Sequence, residues 1–77
     1  MVHAREDYNR IQDPARKIPA EEPVFLLRAQ DRTAVATLKF WITENERLPD
    51  KDQRAIDLAR GHLKRMEEWP VKKTADC

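Results

Sequence analysis

Serine is absent from this chain, and glycine, cysteine and tyrosine each occur once in its 77 residues. Each shortage removes a class of chemistry. Without serine there is no serine nucleophile, and one glycine cannot build a glycine-rich phosphate loop. The lone Cys77 has no intrachain partner for a disulfide and no evident base to activate it, which fits a reducing compartment. The two histidines, His3 and His62, stand apart from cysteine or carboxylates at zinc spacing, so no metal site is indicated. Carboxylate pairs such as Glu21 with Glu22 and Glu67 with Glu68 are sequence neighbours. Side chains one residue apart on a helix diverge by about 100°, so these are solvated charges rather than a general acid and base. The chain reads as a protein that is not an enzyme and carries no cofactor.

Two further absences bear on partners. No hydrophobic window approaches the ~18 residues needed to span a bilayer, and no charged-then-apolar leader opens the chain. A cytoplasmic protein is expected. Charge of one sign is also missing: fifteen basic residues face fourteen acidic ones, a formal net of +1. A protein that coats duplex nucleic acid or an anionic membrane normally shows a basic excess or stripe. Neither partner is expected here.

What is present is enough for one small helical domain. A chain near this size buries roughly 60% of its unfolded surface, a marginal core. Small proteins offset that with disulfides, metal or partner subunits. The first two having been set aside, association with copies of itself remains.

Residues 1–22 read as an extended arm. Pro14 and Pro19 fix their own φ and bias Asp13 and Ile18 away from helix. A helical turn over Arg5 to Ile11 is too short to stand unaided, and Tyr8 and Ile11 are the arm's apolar anchors. Residues 23–70 form the core. They open with Pro23-Val24-Phe25-Leu26-Leu27, an apolar run with neither strand alternation nor helical spacing. Strand and buried extended segment both remain open for it. Asp31 then offers an N-cap.

A first helix is predicted over about Asp31 to Leu48, with Ala34, Val35, Leu38, Trp41, Ile42 and Leu48 on one side and Phe40 nearly opposite. Pro49 ends it. Asp50 opens the second helix, with Gln53 completing a capping-box-like Asp-x-x-Gln after a loop of about three residues. So short a loop makes an antiparallel helical hairpin. The second helix, about Lys51 to Trp69, carries Ile56, Ala59, Leu63 and Met66 at alternating three and four spacing. Ala55, Leu58, His62 and Trp69 widen that stripe beyond what one neighbouring helix covers. Gly61 sits inside it, justified either by close approach of a neighbour or ligand or by a tolerated surface position. Pro70 stops the helix, leaving 71–77 as a flexible tail.

Two places suit ligand binding. At the Arg28 to Asp31 junction, free amides of the helix start, with Arg28 and Arg32 beside them, suit a phosphate; an ordinary cap with solvated arginines is the competing reading. Tyr8 beside Asn9 suits a stacked base with amide hydrogen bonds, or else an anchor that pins the arm. His62 and Arg65 lie on or beside the broad face of the second helix, where symmetry mates would meet.

The order Tyr8-Asn9, then Ile18-Pro19-Ala20-Glu21-Glu22-Pro23-Val24-Phe25-Leu26-Leu27-Arg28-Ala29-Gln30-Asp31, then His62-x-x-x-Met66-x-x-Trp69-Pro70, resembles small phage and prophage proteins. Among these it is similar to the phage anti-CBASS sponges, helical hexamers that sequester cyclic oligonucleotide immune signals in an infected bacterial host cell. The resemblance spans about residues 8–70 and is densest over 18–31. It implies that Tyr8 and Asn9 hold a base and that Arg28, with Ala29 and Gln30 after it, contacts ligand phosphate. It also implies that Arg60 or Arg65 lines a pocket for cyclic trinucleotides. The expected protein is therefore all-α: an extended N-terminal arm, then an antiparallel two-helix hairpin, assembled as a symmetric homo-oligomer. Its expected function is to sequester cyclic di- or trinucleotides. The alternative is a small helical interaction module that binds a host or phage protein through its apolar faces, and a nucleic-acid-binding accessory protein is a third option.

Overall fold

The computed structural model describes residues 2–3 and 15–74, and two helices carry its fold. The first, α1, covers Ala34–Glu46, and the second, α2, covers Gln53–Glu68. They run in opposite senses. The end of α2 returns to the start of α1, where the Lys73 amide donates to the Gln30 carbonyl at 2.6 Å and the Arg32 amide donates to the Lys73 carbonyl at 2.8 Å.

Both helices begin later than the sequence predicts, each for a local reason. Asp31 does offer its carboxylate, but two residues ahead of the N-cap Thr33. Its Oδ1 accepts from the Thr33 amide at 2.8 Å and the Thr33 hydroxyl at 2.7 Å, a local turn that delays helical geometry to Ala34. In the second helix Asp52, not Asp50, is the N-cap, and its side chain accepts from the Ala55 amide at 3.0 Å. The loop is correspondingly longer than three residues. α1 ends at Glu46, where tight turns take over: the Arg47 amide donates to Glu44 and the Leu48 amide to Asn45. Leu48 precedes Pro49 and is barred from continuing the helix by the proline ring.

The core is thin. Ala34 and Ile42 from α1 meet Ile56 and Met66 from α2, and these are the buried hydrophobics among the described residues. Ala59 and Leu63 are half-buried between Ile56 and Met66, so the three-and-four spacing of α2 does mark its inner face. The wider stripes stay in solvent. Phe40 is 67% exposed on the outer face of α1, but Trp41 and Leu48, placed on the inner face by their spacing, are also exposed. One partner helix covers only a narrow seam of each stripe.

Of the two readings left open for the apolar run ahead of α1, strand holds for its first two residues and burial fails for Phe25 and Leu26. Pro23–Val24 is a two-residue strand, β2, paired in parallel with β1, Val2–His3, in the register Val2 to Pro23 and His3 to Val24. Phe25 is 71% exposed and Leu26 is exposed too, while Val24 and Leu27 are half-buried. Beyond the strand the run is irregular chain whose larger side chains are mostly exposed rather than core. The residues after Pro70 are tied down as far as Lys73, where a parallel bridge pairs Lys73 with Asp31.

Candidate ligand-binding site

The helix-start phosphate site anticipated at Arg28 to Asp31 is occupied by the chain's own groups. The Asp31 amide closes a turn onto the Arg28 carbonyl at 2.9 Å, and the Ala34 amide donates to the Asp31 carbonyl at 3.0 Å. With Thr33 held by the Asp31 carboxylate and Arg32 by Lys73, the amides of Arg32, Thr33 and Ala34 all have partners. The backbone and then the hydroxyl donor of Thr33 hold the Asp31 carboxyl below its ordinary value of 3.8. An anion entering here would meet a carboxylate already bound to the donors it needs.

The concave site lies on the other side of the junction. Arg28, Ala29 and Gln30 line a hollow of about 230 Å³ whose opposite wall is Trp69, the residue that ends α2. The fold thus brings an arginine, backbone groups and a carboxamide against an indole. Trp69 is 52% exposed and offers that hollow a wide aromatic surface. The volume falls below the ~300–1,000 Å³ usual for a small-molecule pocket. It suits one planar ring or one phosphate-bearing fragment.

Lys72 joins the two walls. Its Nζ donates to the Ala29 carbonyl at 2.9 Å and to the Met66 carbonyl at 2.7 Å. Neither Trp69 nor Lys72 is marked as part of the site by its sequence pattern: spacing puts Trp69 in an apolar stripe and position puts Lys72 in the tail. The one signal for Lys72 is a cation just past a helix C-terminus, where carbonyls lack partners.

Of the remaining site residues, Tyr8 and Asn9 lie outside the described residues. Arg60 forms an ion pair with Glu46, the last residue of α1, and so belongs to the loop end of the hairpin. Arg65 is exposed in the last turn of α2, one turn before Trp69, at the same end as the hollow. The structure therefore gathers Arg28, Ala29 and Gln30 with Trp69, and neither Arg60 nor Arg65 is among the residues that line the hollow.

A second hollow of about 410 Å³ opens between the helices, where Leu27, Leu38, Trp41, Leu58 and Ala59 are joined by Thr37 and His62. Its walls are nearly all apolar, and Leu58 is 65% exposed at its edge. Among the described residues, no cluster of histidine, cysteine and carboxylates could hold a metal ion, and no helix is long and apolar enough to cross a membrane. Comparison with protein-family models, with curated proteins and with solved structures found no match.

Proposed function

We propose that this protein is a non-catalytic sponge: it sequesters a cyclic di- or trinucleotide immune signal by stoichiometric binding in hollows completed between protomers of a symmetric homo-oligomer. The observation that carries this reading is the convergence of Arg28, Ala29 and Gln30 with Trp69 around one small cleft. An indole stacks on a base and a guanidinium pairs with a phosphate. A cleft of about 230 Å³ takes only part of a cyclic dinucleotide, so the rest of the ligand needs a second surface. The exposed Phe25, Phe40, Trp41 and Leu58 supply apolar area with which copies can associate. Tyr8 and Asn9, from a neighbouring protomer, are the groups we assign to the completing wall.

Calorimetric titration with a panel of cyclic dinucleotides and trinucleotides, together with light scattering, tests this. Saturable binding is expected at a fixed ratio of ligand to protomer, in a species larger than a monomer. Tyr8→Ala and Trp69→Ala should each weaken binding without changing assembled size. A stable monomer that binds none of the panel would refute the reading. That outcome would favour the second reading, an interaction module, for which the apolar hollow beside Trp41 and Leu58 is the specific support.

A further inference from the structure

The hollow beside Arg28 is placed awkwardly for an anion, because its far wall is the carboxyl end of a helix. The last carbonyls of a helix carry a partial negative charge, roughly half an elementary charge in sum. Here the exposed side chains of Glu67 and Glu68 add to it, and Arg65 in the same last turn of α2 offsets only part of that charge. A phosphate brought to Arg28 would face that end of α2 across the cleft.

One side chain answers this. We infer that Lys72 is the positioning and charge-setting residue that lets the Arg28, Ala29, Gln30 and Trp69 hollow accept a phosphate-bearing ligand; the inference rests on the reading of that hollow proposed above. Three observations carry it. The Lys72 ammonium sits on the Met66 carbonyl, an oxygen in the last turn of α2 that also receives the Trp69 amide at 3.3 Å. It simultaneously holds the carbonyl of Ala29, a lining residue, so one group spans the gap between the two walls. Its backbone is placed for this by the pairing of the next residue, Lys73, with Gln30 and Arg32. Two of the three ammonium donors are used in these bonds. Lys72 therefore sets a positive charge on the negative helix end and ties the Ala29 wall to the turn of α2 that precedes Trp69.

The test is calorimetric titration of the full chain with 3′,3′-cyclic GMP-AMP and with cyclic tri-AMP, at low and high salt, for the wild type, Lys72→Met and Lys72→Arg. Circular dichroism establishes that each variant is folded, and Lys72→Gln replaces Lys72→Met if the latter is not. Loss of the charge should weaken binding by about tenfold, the order of one charge-assisted contact. Lys72→Arg, which keeps charge and donors, should bind nearly as the wild type does. The gap between the wild type and Lys72→Met should narrow at high salt, since screening acts on charge and not on packing. Equal affinity in Lys72→Met and the wild type overturns the role of Lys72 and leaves the reading of the hollow standing. An equal loss in the Met and Arg variants, indifferent to salt, also overturns it, because that is the behaviour of a strut. A wild type that binds neither probe overturns the reading of the hollow itself, and this inference falls with it.

Discussion

Replacing Gly61 with alanine should stabilise the protein, and the size of the effect follows from where the glycine sits. It lies in the interior of α2 and does not have a positive φ. A methyl group built on it meets no heavy atom within 4 Å. Neither a clash nor a strained backbone opposes the change, so the helix-propensity difference between the two residues should appear almost undiminished, about 0.8–1.0 kcal/mol. For a domain of this size, 1 kcal/mol moves the melting temperature by roughly 4–8 °C. Thermal melting followed by circular dichroism, with both proteins at the same concentration, measures it. An unchanged or lowered melting point would refute the premise that this side of α2 faces open space. A lowered melting point together with a smaller assembly by light scattering would place a neighbouring copy against Gly61, the close approach that a helix-interior glycine permits.

Further outcomes follow from individual contacts. Asp52→Ala should cost about 1 kcal/mol by removing the acceptor for the Ala55 amide. Asp50→Ala should stay within about 0.5 kcal/mol, and urea denaturation of the pair tells which aspartate caps α2. Ile56→Ala empties the largest fully buried side chain and should cost about 2–5 kcal/mol. That is enough to unfold much of so small a protein, visible as lost ellipticity. Because the Asp31 carboxyl is held below 3.8 by Thr33, its contribution to stability is fully present above that pH and is lost as pH falls through the depressed folded value. Asp31→Ala, which removes the carboxyl that both Thr33 donors hold, should therefore flatten the acid limb of a stability-versus-pH curve, and an unaltered limb would dismiss the Asp31 to Thr33 contact as its source.

How much of this was legible in the residues depends on which force placed them. The seam of α2 was readable because Ile56, Ala59, Leu63 and Met66 repeat at the period of one helix against one neighbour. The pattern did not reveal that Trp41 and Leu48 would remain in solvent, since spacing assigns a face and not the width of what covers it. Helix starts were misplaced by two or three residues for a related reason. Asp31, Asp50 and Asp52 can each cap, and the choice falls to the turns that precede them, not to the side chain. The apolar run at Phe25 and Leu26 looked like core by composition, yet a thin hairpin offers it only a margin. In the candidate site, Arg28, Ala29 and Gln30 were identifiable as a cluster, whereas Trp69 and Lys72 joined it through backbone pairing of residues 30–32 with Lys73. Backbone ladders of one or two rungs leave almost no side-chain signature.

The backbone bridge at the mouth of α1 also bears on the order in which the chain folds. The helical hairpin closes through near neighbours, whereas Lys72 and Ala29 are 43 residues apart in sequence. Bringing such distant segments together costs more loop entropy than closing the hairpin, and only a few hydrogen bonds offset it. The hollow should accordingly be assembled last and opened first, a separable low-stability unit that a ligand fastens by binding. Saturation with ligand would then slow local opening at residues 28–32 far more than it slows the unravelling of Ile56 and Met66.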